Sequence, residues 1–461
     1  MNTASAAPTT LPVTTTSWLG DPATPSTSSG DSLFPELGSE DLDVQSYDVR
    51  LGYDVPTATI DGAVRVTTLV RRPLDVLALD ASELVVESVS VDGVPASFEH
   101  VDPELLVRPA TPAQPDRPVV IDIEYRDDRH ESTIGFGLGA GWYPVLGGSY
   151  VLNEPDGGRR WMPSNDHPSD KATWRFEITV GEGLTGVANG HLVEQRPGAG
   201  TTTWVWEQRE PMATYLVQLL VGDYEVIDGG TYGAVPLTHV ALRDDVARMQ
   251  PYFDVTDDQL AFFEPLFGAY PLDQYGLAFA PSVGGLAMEM QGRSMFSRDD
   301  FTGALDSRAH LFLAHELAHQ WFGDAVSPAD WSDLWLNESF ASYGQWLWFD
   351  HIGLESLDAV ASRMLAMRQL PGVDSTGQPA LGNLFGFERY DGGAVVVHAL
   401  RREIGDEAFF ALLQRWIADN DGTSRTTEDF VALAADVAGR DLTSFFATWL
   451  DAASLPPTYP G

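Results

Sequence analysis

The chain has 461 residues, 44% of them hydrophobic, no cysteine and a formal charge of −40. That length suits two or three domains, each with a real core. The missing thiols exclude disulfides and thiolate metal sites, and so negative a field makes nucleic acid and anionic membranes poor partners.

In chain order, the first stretch is "MNTASAAPTTLPVTTTSWLGDPATPSTSSG". It lacks the basic region and apolar core of an intact signal peptide. Residues 1–31 are therefore expected to form a flexible Thr/Ser/Pro-rich tail. The tail reads as a stalk left by a removed export signal, placing the protein outside the cell or on its surface. The alternative is the frayed terminus of a cytoplasmic protein. No apolar run approaches the roughly 18 residues of a membrane span.

Residues 32–228 read as a β domain. In "YDVRLGY", Tyr47, Val49, Leu51 and Tyr53 fall on one face of a strand. "SVSVDGVPASF" offers a hairpin turn at Asp92–Gly93. "VVIDIEY" and "TYLVQLLVGDYEV" read as further strands, separated by turn residues as in a mostly antiparallel sheet. Lysine occurs once, at Lys171.

From residue 229 to 461 the texture changes, and helical periodicity takes over near Ser307. In "DSRAHLFLAHELAHQWFG", Asp306 or Ser307 can cap a helix. Phe312, His315, His319 and Phe322 share its face, and Gly323 is placed to end it. "TTEDFVALAADVAG" predicts another capped helix ending on Gly439.

The chemistry concentrates in "HELAHQWFGDAVSPADWSDLWLNESFASY". Two residues four apart on a helix differ by about 40° in direction, so His315 and His319 project side by side. Their nitrogens can meet one ion at about 2.0–2.1 Å, the zinc distance. Any transition metal here must use His, Asp or Glu. Glu338, one loop later, is the natural third ligand, with a position left open for water and substrate. Glu316 lies off the histidine pair but within one turn, where it can act as base toward a metal-activated water. Two histidines and two glutamates facing a core would be costly without a cation to pair them.

"HELAHQWFGD" followed by "WSDLWLNESFASY" closely resembles the aminopeptidase N family of zinc metallopeptidases, relatives of leukotriene hydrolase. Further segments match in order: "EPDGGRRWMPSNDHPSDKATWRFEITVGEGLTGVANG", "VGGLAMEM", "RYDGGAVVVHALRREIGDEAFF" and "DLTSFFATWLDAASLP". The resemblance implies an α+β protein. A β-saddle N-terminal domain would precede a thermolysin-like mixed α/β, mainly helical catalytic domain, in a short two-domain form. It implies a zinc-dependent aminopeptidase that hydrolyses N-terminal residues from peptides, with one Zn²⁺ per chain, probing peptides with a free N-terminus, acting as a monomer without nucleic acid or a transmembrane segment. His315, His319 and Glu338 would hold zinc, Glu316 would activate the zinc-bound water, and Tyr390 would stabilise the oxyanion. Glu289 and Glu154 would bind the free α-amino group, with Ala287 and Met288 in the same substrate-binding segment. Asn337 would either orient a zinc histidine or pack the loop.

Three positions depart from the family pattern: Met290 and Leu286 in the anchoring segment, and Leu152 two residues before Glu154. All lie around the amine anchor. They leave two rival readings, a thermolysin-like endopeptidase and a bifunctional epoxide hydrolase and aminopeptidase.

Overall fold

The computed structural model describes residues 25–127, 140–281, 287–370 and 372–460. Its first half is built from sheets, and alternation explains them. In the strand Leu42–Asp54, Tyr47, Val49, Leu51 and Tyr53 are buried while Arg50 and Asp54 face solvent. This strand lies within an eight-stranded sheet, antiparallel to Thr59–Val70 and parallel to Ala172–Gly181. The predicted hairpin joins Val85–Val91 to Val94–Pro95, with φ of 52° at Asp92 and 75° at Gly93. Such a pair of positive φ values suits the twist of a two-residue hairpin.

"TYLVQLLVGDYEV" is not one strand. Thr214–Leu216 makes a 3₁₀ turn, Leu219–Gly222 joins a four-stranded sheet, and Tyr224–Tyr232 opens a five-stranded sheet. The chain changes sheet at Gly222–Asp223, and the new strand runs across the expected boundary at residue 229.

The second half is mainly helical. Its helices are α1 (Val246–Phe253), α2 (Thr256–Phe267), α3 (Ser307–His319), α4 (Trp335–His351), α5 (Leu357–Arg368), α6 (Asp391–Ile404), α7 (Asp406–Asn420), α8 (Thr427–Ala438) and α9 (Thr443–Trp449). The side chains of α4 are buried from Trp335 to Trp348, on every face. A helix buried on every face lies within a core, and α4, with Asn337, Glu338, Ser339, Ser342 and Gln345 among its apolar residues, packs against both α3 and α6. Helix α8 has the predicted ends, a capping box of Thr426 and Asp429 and a left-handed Gly439 at φ 65°.

Each half has its own hydrophobic core. Several residues of the second half, among them Met288, Met290, Trp331 and Leu334, are buried in the first core. The segments leading to Glu289 and Glu338 are thus pinned where the halves meet. Residues 1–24 of the expected tail lie outside the described residues. Asp31, the tail's expected last residue, is buried, with a carboxylate oxygen accepting the Trp331 backbone N–H at 2.7 Å and lying 3.0 Å from His167 Nε2.

Candidate active site

Helix α3 starts as its sequence asks: an Asp306 carboxylate oxygen accepts the Ala309 backbone N–H at 2.9 Å. It ends at His319, a turn before Gly323. Gly323 has another task. Its φ is +130°, and a Cβ there would lie 3.2 Å from the Asn337 amide nitrogen and 3.4 Å from His319 Nδ1. A bare backbone lets the chain fold back beneath the histidine. The Phe322 carbonyl then lies 3.1 Å from His319 Nδ1. A proton held there leaves Nε2 with its lone pair facing inward, the form a metal needs.

His315 Nε2 and His319 Nε2 stand 3.1 and 3.3 Å from Glu338 Oε2. Their three ligand atoms lie within 4.8 Å of one another. Burial would raise the Glu338 pKa, but the two histidines outweigh it and bring it down to about 2. Two imidazole nitrogens and one carboxylate, with no thiolate, are the donor set of an open catalytic zinc site. The residues present therefore fit zinc.

Glu316 is buried beside this triad, and an oxygen of Glu316, one of Glu289 and a nitrogen of His319 also lie within 4.8 Å of one another. Burial pushes the Glu316 carboxyl well above its usual range, the charges of Glu289 and Glu338 add to this, and His319 opposes it. Glu154 is raised likewise, by burial first and then by Glu289 and Glu338. One oxygen each of Glu154 and Glu289 is shut off from solvent without a hydrogen-bond partner. Unpaired buried carboxylates are costly, so this cluster suits positively charged ligands.

The short strand Ala287–Met288 pairs antiparallel with Met295–Phe296. Successive side chains of a strand point to opposite faces. Ala287 lines the cleft while Met288 is buried in the first core. Of this expected substrate-binding pair, only Ala287 has its side chain on the cleft. Met290 is fully buried as well, so the side chain at this departure from the family pattern packs in the core. Gln320 Nε2 donates to the Glu289 carbonyl at 3.0 Å and ties this segment to the metal helix. Leu152 packs against the first core, and Leu286 lies outside the described residues.

Tyr390 immediately precedes α6. A Cβ at Gly393 would fall 1.8 Å from Ser339 Oγ, so only glycine lets α6 come this close to α4. Ser339 Oγ in turn donates to the Arg389 carbonyl at 2.6 Å. The Tyr390 ring therefore stacks over His315, with centroids 5.9 Å apart and planes at 14°. Desolvation pushes its phenol well above the usual pKa, and Glu338 and Glu154 add to the rise. It stays a protonated donor at neutral pH.

Met288 apart, the expected site residues share one cleft of about 410 Å³: Glu154, Ala287, Glu289, His315, Glu316, His319, Glu338 and Tyr390. Asn337 does not reach a histidine nitrogen; its amide donates to the Tyr215 hydroxyl at 3.3 Å. Two residues that sequence reading passed over hold the loop after α3. Tyr215 donates to the Gly323 carbonyl at 3.0 Å. Lys171 Nζ donates to the Asp324 and Ala325 carbonyls at 2.6 and 3.1 Å. The one available signal was that Lys171 is the chain's sole lysine.

This geometry has counterparts among known proteins. The peptidase M1 N-terminal domain model matches residues 44–216, and the peptidase family M1 domain model matches residues 252–449. Aminopeptidase M1-B of Oryza sativa subsp. japonica is 26% identical over 446 residues, covering 90% of this chain and 50% of that protein. Aminopeptidase N of Streptomyces lividans is 28% identical over 462 residues, covering 90% and 51%. The chain spans about half the length of the curated relatives it matches. The crystal structure of an M1 zinc metallopeptidase from Deinococcus radiodurans superposes with a TM-score of 0.85 at 30% identity, covering 94% of this chain and 99% of that one. A mutant of the Deinococcus radiodurans M1 zinc metallopeptidase bound to a Tyr-Ser-Ala substrate gives a TM-score of 0.83, also at 30% identity and with the same coverage. Two domain matches in the right order, laid over a metal triad at the seam between two cores, place the chain in the M1 family of peptidases.

Proposed function

We propose that this protein is a zinc-dependent aminopeptidase that removes N-terminal residues from peptides. One observation carries the reading: Glu154 and Glu289 each keep a buried, unpartnered oxygen in the cleft that holds the metal triad. A triad alone would serve many hydrolyses. Two unpaired carboxylates beside it fit a substrate's α-ammonium and place the chain end one residue from the scissile bond. The aminopeptidase names of the relatives and the tripeptide bound to the Deinococcus protein support the reading.

His315, His319 and Glu338 would hold the zinc. When bound, zinc supplies a Lewis acid that lowers the pKa of water and polarises a carbonyl. Glu316 accepts a proton from the attacking water on a carboxylate oxygen and returns it to the leaving amine. The Tyr390 hydroxyl donates a hydrogen bond to the carbonyl oxygen as charge develops there. Glu154 and Glu289 orient the substrate through charge-assisted bonds to its ammonium.

The test is N-terminal acetylation of the substrate. Blocked peptides should be cut at least about 100-fold more slowly than free ones, a loss of about 2.7 kcal/mol of transition-state stabilisation. Similar rates for both, or cleavage within a long blocked peptide, would replace this reading with a thermolysin-like endopeptidase.

A further inference from the structure

The cleft has a second end. Glu289 sits by His319, as the shared 4.8 Å grouping shows. The wall beyond His315 has a different character. Leu311 and Phe312 lie one turn earlier on α3, toward the face that carries His315. Ser342 and Gln345 follow Glu338 by one and two turns of α4. Asp391 follows Tyr390, whose ring stacks on His315. All five line the cleft, and among the described residues no lysine or arginine does.

A substrate whose ammonium is held at Glu289 and whose scissile carbonyl sits at the metal triad continues past His315. The residue after the scissile bond then meets this wall. Asp391 Oδ1 accepts a hydrogen bond from Trp346 Nε1 at 2.8 Å, which fixes the carboxylate. We propose that Asp391, backed by Gln345, makes this end of the cleft a subsite for a cationic side chain, lysine or arginine, on the residue after the scissile bond. Leu311 and Phe312 cover the aliphatic stem of such a side chain. The Asp391 carboxylate meets its charged head in a charge-assisted hydrogen bond. The inference rests on the aminopeptidase reading above.

An acid in the first turn also favours α6 through the helix dipole, so selectivity is measured as a ratio within each variant. The full-length, zinc-loaded chain is given tripeptides Ala-X-Ala with free amines, where X is lysine, arginine, norleucine or glutamate. High salt screens the long-range field of the −40 charge. Lysine and arginine should exceed norleucine in kcat/KM by about 10-fold, the range of a charge-assisted bond. Asp391→Asn should bring that ratio to about one, Asp391→Glu should keep it, and Gln345→Glu should raise it. A wild-type ratio near one overturns the proposal. So does a preference that survives Asp391→Asn, or one that Gln345→Glu fails to raise. Failure to cleave any free-amine tripeptide sinks the aminopeptidase reading itself, and this outcome is distinct from cleavage without preference.

Discussion

The two histidines of the metal triad are held by different parts of the molecule. His319 is 1% exposed, and its Nδ1 meets the carbonyl of Phe322. The loop carrying that carbonyl is gripped by Tyr215 and Lys171 from the sheet-rich half. His315 is 8% exposed and lies against Tyr390 at the cleft wall. One histidine is thus anchored to the N-terminal frame, while the other lies at the cleft wall. The sheet-rich half is therefore more than a support for the helical half, because it sets the orientation of a histidine in the proposed metal triad.

The largest effect should come from the acid that lies beside both histidines in the cleft. Glu316→Gln should retain the metal against a chelator yet lose about 10²–10⁴-fold in kcat, the share of a general base. Single-turnover rates on a free-amine peptide measure it, and near-normal turnover would remove Glu316 from the mechanism.

The next comparison separates the sides. Tyr390→Phe should cut kcat by about 10²–10³-fold while leaving KM and zinc affinity near wild type. Lys171→Met should do the opposite, weakening zinc by about 10–100-fold, the usual cost of losing an outer support, with little change in kcat once zinc is saturating. Lys171→Arg should restore part of the affinity. Chelator competition reads affinity, and equal zinc affinity in Lys171→Met and Tyr390→Phe would erase the distinction between the two histidines.

A smaller effect concerns the stability of the N-terminal frame. Asp170 is buried beside Lys171 and accepts the Val44 backbone N–H and an Asn165 amide hydrogen. Burial raises its pKa to about 7, more than those hydrogen bonds lower it. The folded state therefore holds this proton more tightly than the unfolded chain does. The contribution is complete below the unfolded pKa of about 4 and is lost as pH rises through about 7. Wild type should lose stability relative to Asp170→Asn across that window, by up to about 1.4 kcal/mol per pH unit. Denaturant unfolding of both proteins at pH 5 and pH 7, near the middle and at the upper edge of that window, tests it, and a constant difference would show that the carboxyl is not protonated in the fold.

Short-range pattern made much of this molecule readable. His315, Glu316 and His319 lie within two turns of one helix, and alternation exposed the buried face of Leu42–Asp54. What stayed hidden depends on distant partners or on very short elements. Lys171 meets its carbonyls across 153 and 154 positions, and Tyr215 meets Gly323 across 108. No local periodicity encodes such contacts. The change of sheet at Gly222–Asp223 hides in an apolar run that looks the same for one strand or two. That the Met288 side chain faces the core and Ala287 the cleft was not legible, because a two-residue strand is too short to display an alternation.

The single lysine has a chemical consequence. Desolvation lowers the Lys171 pKa to about 8, although Asp324, Asp421 and Glu210 resist the shift. Burial thus loosens the proton on the amine that grips the Asp324 and Ala325 carbonyls. A lysine-directed acylating reagent finds one side-chain target in the whole sequence, and that target is the contact joining the two halves behind His319. Acylation would remove the charge and displace the hydrogen bonds to both carbonyls in one step. The positive charge that couples the frame to the loop behind His319 therefore rests on a single side chain, with no second lysine to replace it.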